Sequence, residues 1–271
     1  VSTIAGSAFA ADLPSRKVAP AYVAPVPVFT WTGFYVGVNV GYGFGKDSQA
    51  GAWSYPVVAP IGNAAFNFSQ NSSGLLGGGQ IGYNFQLSPM FVAGVEADLQ
   101  ASGIKSSSVG TGFATPIGAV PQTATIAVNQ KVSWFGTLRG RLGVTAFSPN
   151  LLAYVTGGLA YGKVSNSAVL LSQFPTFPAF ALAADSAGST RLGWTVGAGL
   201  EYALSNNWSL KGEYLYTDLG SFSAAGRAPI QVAVGDNFIY NRTSSAKFHT
   251  VRAGLNYRFG GYSAAPVVAK Y

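Results

Sequence analysis

Eight charged side chains in this 271-residue sequence are spaced so that they could act together: Glu96 and Asp98, Arg139 and Arg141, Glu201 and Lys211, Glu213 and Arg252. Two carboxylates two residues apart are the raw material of general acid–base chemistry, in which one group holds a proton that the other lacks. Guanidinium groups at matching positions argue against it, because an adjacent Arg keeps a carboxylate ionised. In an antiparallel ladder opposed residues have a constant index sum, which sets Glu96 against Arg141 and Asp98 against Arg139. Glu201 and Lys211 are symmetric about the turn at Ser205–Asn207, and Glu213 and Arg252 fall at similar heights on their strands. The expectation is four ion pairs that plug an interior; the functional alternative is a proton or ion path.

Other motifs carry less. Gly77-x-Gly79-x-x-Gly82 matches a dinucleotide fingerprint by letter, but it lies inside a strand-like run with no helix after it. His249 is the only histidine and there is no cysteine, so neither a zinc site nor a thiol nucleophile can be assembled. No metal, cofactor or catalytic group is expected, and the chain reads as a non-enzyme. Asn67-Phe68-Ser69 and Asn241-Arg242-Thr243 match glycosylation acceptors by letter only. Phe174, Phe177 and Phe180 fall between strand-like runs, where they either pack loop on loop or meet a partner.

The elements that must position these residues are eight runs of alternating character, near 33–45, 75–87, 90–103, 131–146, 151–164, 191–204, 208–219 and 247–259. Long gaps of roughly 26 to 29 residues alternate with short ones of roughly 3 to 4, the rhythm of an up-and-down meander with tight turns at one end. Successive side chains point to opposite faces of a strand. In the first run Phe34, Val36, Val38, Val40, Tyr42 and Phe44 share one face, and Tyr35, Gly37, Asn39, Gly41 and Gly43 the other. In the third, Phe91, Ala93, Val95, Ala97 and Leu99 oppose Gly94, Glu96, Asp98 and Gln100. In the fourth, Val132, Trp134, Leu138, Leu142 and Val144 oppose Thr137, Arg139 and Arg141. Runs six to eight repeat the pattern, with Glu201, Lys211, Glu213 and Arg252 in the small, polar phase; Val155, Leu159 and Tyr161 are placed outward in run five. Interior charges never fall in the aromatic phase; Lys163 and Asp218, the exceptions, sit at strand ends. A soluble eight-stranded barrel could not enclose so many rings, whereas a membrane barrel turns them to lipid. The fold class expected is therefore all-β: an eight-stranded antiparallel up-and-down transmembrane β-barrel with four long extracellular loops and short periplasmic turns.

Composition agrees. Charged residues are only 9%, aromatics 14%, and there are 35 glycines. The mean hydropathy is +0.27, yet the longest apolar stretch, 168–184, is broken by Pro175 and Pro178, so no helical span is expected. The net charge of +7 comes from dispersed residues and suits an anionic lipopolysaccharide surface rather than nucleic acid.

The opening VSTIAGSAFA reads as the end of a secretory signal, with Ala8-Phe9-Ala10 as the cleavage pattern and residues 1–10 as the remnant. Residues 11–31, with prolines at 14, 20, 25 and 27, read as an extended periplasmic tether with no role in holding the barrel. Residues 32–260 then form the barrel, and 261–271 a short periplasmic tail.

Several segments resemble a known family. Ala11-Asp12-Leu13-Pro14, Trp31-Thr32-Gly33-Phe34-Tyr35-Val36-Gly37 with its Gly-Tyr-Gly continuation, Tyr154 to Gly162, Gly193 to Gly199 and Lys211 to Tyr216 are similar to the small outer-membrane barrels of Rhizobiales-type alphaproteobacteria. That group includes the Brucella major outer-membrane proteins and RopB-like proteins, and its fold is OmpA-like. The resemblance implies an outer-membrane location, no enzymatic activity, and a porin-like architecture supporting envelope integrity. It also implies that the last strand, with Tyr257 and Phe259, is read by the barrel-assembly machinery, although Phe259 is not the final residue. In some relatives the mature N-terminal Ala-Asp is joined to peptidoglycan; the matching residues are Ala11, whose α-amine would be attached, and Asp12. The alternatives are a narrow porin for small solutes and a surface adhesion or ligand-binding protein acting through its loops.

Overall fold

The computed structural model describes residues 28–54, 64–117, 120–174, 177–229, 237–259 and 262–263, all but a few of them in strands. The elements are β1 (Val28–Phe29), β2 (Gly33–Ser54), β3 (Ala64–Gln86), β4 (Phe91–Ile117), β5 (Val120–Ser148), β6 (Leu151–Phe174), β7 (Phe177–Ala203), β8 (Trp208–Pro229), β9 (Asn237–Phe259) and β10 (Tyr262–Ser263). Strands β2 to β9 pair antiparallel in chain order, and β9 returns to β2 to close a barrel. The face assignment follows the alternation: Leu142 is 65% exposed while Arg141 beside it is 3% exposed, so the apolar face is the outer one. Tight turns join β3 to β4, β5 to β6 and β7 to β8. Ser88 Oγ accepts the N–H groups of Met90 and Phe91, and Ser205 Oγ accepts that of Trp208, which closes two of these turns.

At the other end the expected long loops are largely strand. Each of β2 to β9 runs for 22 to 29 residues, about twice what a membrane crossing needs. The extension is a divided wall. Pairing of β3 with β4 ends at Ser73–Lys105, and that of β7 with β8 at Trp194–Asp218. Beyond these points β8, β9, β2 and β3 continue as one four-stranded sheet and β4 to β7 as another. The β8 edge turns away at Gly220, whose φ of +79° suits glycine and whose N–H donates to Asp218 Oδ1 at 2.8 Å, within a register shift between Asp218 and Ser221. The sequence hid this because the extensions alternate Ser, Thr and Ala with Val, a weak facial contrast suited to strands wetted on the outside.

A second correction concerns residues 28–31. They are not a free tether but a lid on the turn end of the barrel. Trp31 is 1% exposed, packed with Phe29, Val92, Leu152, Tyr154 and Ala203, and its Nε1 donates to the Pro149 carbonyl at 2.9 Å. The Arg258 guanidinium lies 4.5 Å from the Phe29 ring centroid and 4.8 Å from that of Trp31, and Nη2 donates to the Asn206 carbonyl at 2.8 Å. Gln86 Oε1 accepts the Trp31 N–H at 2.8 Å, and β1 pairs with β10 beneath. Gly33 links the lid to β2 at a φ of +145°, where an added Cβ would stand 2.6 Å from the Phe259 carbonyl oxygen. Ala11 and Asp12 lie outside the described residues, as do 1–10 and 264–271.

Candidate functional site

The barrel interior is the chemically distinctive part of the molecule, and it is built in layers above the aromatic lid. The first is a charge network. Four carboxylates (Glu96, Asp98, Glu201, Glu213) meet four cations (Arg139, Arg141, Lys211, Arg252), all buried and balanced in formal charge. Arg139 is the hub: Nη2 bridges Glu96 Oε1 and, at 3.0 Å, Asp98 Oδ2, while Nη1 reaches Glu213 Oε1 at 3.0 Å. Arg252 clamps Glu213 Oε2 at 2.6 Å and Asp98 Oδ2 at 2.9 Å. Lys211 Nζ sits 2.9 Å from both oxygens of Glu96. Arg141 Nη2 reaches Glu201 Oε2 at 2.7 Å, and its guanidinium stacks 4.0 Å over the Tyr154 ring.

Neutral donors add to the carboxylate shells, leaving Asp98 Oδ1 as the carboxylate oxygen of the network without a hydrogen-bond partner among the described residues. Tyr35 donates to Glu96 at 2.6 Å, Tyr154 to Glu213 at 3.0 Å and Thr137 to Asp98 at 2.7 Å. Ser209 and Asn256 donate to Glu201 at 2.6 and 2.9 Å. With at least one cation on every carboxylate, the arrangement is one of charge compensation and does not resemble an acid–base pair. Among the described residues, no group of three His, Cys, Asp or Glu side chains is placed to hold a metal ion.

Two further layers lie above. Leu76, Ile104, Val132, Phe135, Val164, Leu219 and Phe248 form an apolar plug inside the ring, with Phe135 and Phe248 edge to face at 5.2 Å. Next comes a neutral polar layer in which Ser244 Oγ donates to Gln130 Oε1 at 2.7 Å and Gln49 Nε2 donates to Ser244 Oγ at 2.6 Å, bridging the two sheets of the divided wall.

The eight charged residues singled out by their spacing thus meet in one network, in which Asp98–Arg139, Glu96–Arg141 and Glu213–Arg252 touch as expected while the ladder register and the strongest contacts differ. The ladder sets Glu96 opposite Arg139 and Asp98 opposite Thr137, two residues out of step with the index-sum pairing; the Glu96–Arg141 contact is a longer 3.5 Å. Glu201 and Lys211 are opposed across β7 and β8, yet Lys211 stretches across the lumen to Glu96 and Glu201 takes Arg141 instead. Of the four expected pairs, only Glu213 and Arg252 are both opposed and in contact; Glu96 and Arg139 form a second such pair that the index sum did not give. Strand register identifies neighbours along the wall, whereas a narrow lumen lets long side chains choose partners across it.

Val132, expected outward, is 3% exposed, because a register shift between Val132 and Trp134 turns it into the apolar plug. The lid and the plug were missed, although Trp31, Tyr35 and Asn39 share one phase and Phe135 shares that of Thr137 and Arg139. Phe174 and Phe177 pair at the tip of the β6–β7 hairpin and Phe180 follows on β7; their side chains lie outside the described residues. His249 lies on the outer face, its Nδ1 2.6 Å from the Tyr214 hydroxyl and its ring stacked on Phe44. Tyr257 and Phe259 stand on the outer face near the turns, edge to face at 5.0 Å, with Phe34 against Phe259 and Trp208 against Tyr257.

Comparison with known proteins agrees with this architecture. A model described as an outer membrane protein beta-barrel domain matches residues 18–259. The 31 kDa outer-membrane immunogenic protein of Brucella melitensis biotype 1 is 40% identical over 261 residues, 94% of this chain and 95% of the relative. The 22 kDa outer membrane protein of Rhizobium leguminosarum bv. viciae is 34% identical over 201 residues, 73% of this chain and 69% of the relative. Among solved structures, the outer membrane protein OprG from Pseudomonas aeruginosa aligns with 84% of this chain and 96% of its own, at 12% identity and a TM-score of 0.41.

Proposed function

The chain belongs to the outer-membrane β-barrel protein family, and from that premise we propose that it is a closed structural barrel of the envelope, with its tight turns in the periplasm and its strand extensions outside. The observation that carries this reading is the layered lumen: an aromatic lid, a neutralised ion network, an apolar plug and an amide–hydroxyl bridge lie in series. Opening a water path through the ion layer requires separating buried pairs, which costs several kcal/mol each, and the apolar plug offers a solute no polar partner. The narrow-porin reading is the poorer fit. The test is proteoliposome swelling with small sugars: swelling no faster than in protein-free vesicles is expected, and rates approaching those of an open porin contradict the proposal.

Envelope support is the role such a barrel can perform. The docked lid supports it, because Phe29 to Trp31 fix the point where the preceding segment leaves the barrel, at the turn end. The 17 residues from Ala11 to Pro27, at roughly 3 Å each when extended, give a reach on the order of 50 Å toward the cell wall. Attachment of Ala11 through its α-amine, with Asp12 following, makes the barrel an anchored substrate of a transpeptidase rather than an enzyme itself. Tyr257 and Phe259 serve as the aromatic-ended strand presented to the barrel-assembly machinery.

A further inference from the structure

Five exposed lysines stand on the outer wall at one level. Lys105 on β4 lies directly opposite Lys131 on β5. Lys131 opposes Ser165 on β6, and Lys163 is the next residue on that face toward the turns. On the other flank Lys105 opposes Ser73 on β3, and the next residue up on that face, Asn71, is the partner of Lys46 on β2. Phe44 opposes His249 on β9, and the next outward positions on those two strands are Lys46 and Lys247. Lys247 is held by Asp218 at 3.2 Å. The other carboxylates with described side chains, Glu96, Asp98, Glu201 and Glu213, are all inside the lumen.

The level coincides with a change in the wall. Just below the lysines is a girdle of rings: Phe44, His249, Tyr216, Trp194, Tyr161 and Trp134. Below that the outer face is Val and Leu, as at Val95, Leu99, Leu138 and Leu159. Above it the exposed positions are mostly small or polar, among them Ser69, Asn71, Ser107, Asn129 and Thr243, with Val109 an apolar exception. Aromatic girdles mark the boundary between hydrocarbon and headgroups. Two lysines directly opposed across a ladder repel each other, so the wall gains nothing from Lys105 and Lys131 unless an anion lies between them. They line a cleft of about 470 Å³ with Ser107, Asn129, Ser165 and Ser167, hydroxyl and amide groups suited to sugar.

We propose that Lys105, Lys131 and Lys163 bind the phosphates of a phosphorylated glycolipid whose sugar lies against Ser107 and Asn129 and whose acyl chains run down over Leu99, Leu138 and Leu159. The inference rests on the reading that the strand extensions face outward, which puts the lysines in the outer leaflet. A lipid fits better than free phosphate because the cationic cleft continues without a break into an apolar wall.

The test uses the full chain in phosphatidylcholine nanodiscs doped with bisphosphorylated lipid A, with its phosphate-free form, or with neither, and quantifies lipid retained on the protein. The triple variant Lys105→Gln, Lys131→Gln, Lys163→Gln should bind lipid A about a hundredfold more weakly, at roughly fivefold per lysine, while the triple Lys→Arg variant binds it like the parent. The single variant Lys131→Gln should shift affinity in the same direction, which covers the event that the triple fails to fold. Parent-like retention by the Gln variants, equal binding of phosphate-free lipid A, or complete displacement by millimolar inorganic phosphate overturns the proposal. The lumen is untouched by these changes, so swelling rates stay at the parent's value and separate failure of this site from failure of the closed-barrel reading.

Discussion

At the scale of single residues, Arg139 decides most. It touches Glu96, Asp98 and Glu213, and each of those carboxylates also meets a second cation, so its removal leaves three buried anions short of charge at once. Arg139→Ala is expected to destabilise the barrel by about 3–5 kcal/mol. Urea unfolding in detergent, followed by Trp fluorescence and heat-modifiable gel mobility, measures it. Arg139→Lys should recover only part of the loss, since one ammonium cannot fork across three carboxylates. The neighbouring position tests the wall itself. Leu138 is 55% exposed on the outer face, so Leu138→Arg at this depth should cost about 2–4 kcal/mol in a lipid bilayer. A stable, fully assembled Leu138→Arg protein contradicts the face assignment, because a one-residue slip inverts every strand position.

At the scale of elements, the lid is the part with the sharpest consequence. Trp31→Ala removes the largest ring of the turn-end cluster and one of the two rings beneath Arg258, for a cost of about 3 kcal/mol. Limited proteolysis should then cut between residues 28 and 32, where the parent resists; equal resistance in both contradicts a docked lid. The strands that cross the membrane were legible because lipid on one side and a tight polar lumen on the other give each position a strong label. Phe34 to Phe44 and Phe91 to Leu99 read without ambiguity. The extensions were not, because Thr125-Ile126-Ala127-Val128 and its neighbours carry no lipid-facing label. Bulges escaped for a related reason: nothing in Lys131-Val132-Ser133-Trp134 announces the shift that turns Val132 inward. Membership of the ion cluster was visible in the phase of its charges and so were some of its contacts, but the partners of Lys211 and Glu201 were not, since Lys211 and Arg141 reach across the lumen rather than along the ladder.

At the scale of the whole molecule, the work under the proposed reading is divided between a neutral, layered interior that closes the barrel and a basic outer belt that meets anionic lipid. The proposed anchoring at Ala11 would be a third contact, to the cell wall. Some of the protein should stay with sacculi boiled in detergent, and lysozyme should release a peptide beginning Ala11-Asp12 that carries a muropeptide mass. Inserting residues before Ala11 should abolish this while leaving Trp31 docked; unchanged retention contradicts attachment at Ala11. The closed lumen remains the central claim, and planar-bilayer recording of the purified full chain, beside Arg139→Ala, tests it most directly. The parent should show rare, brief, small events, with more frequent openings only when the hub is removed. Stable, frequent, large openings of the parent contradict a closed barrel and favour a porin.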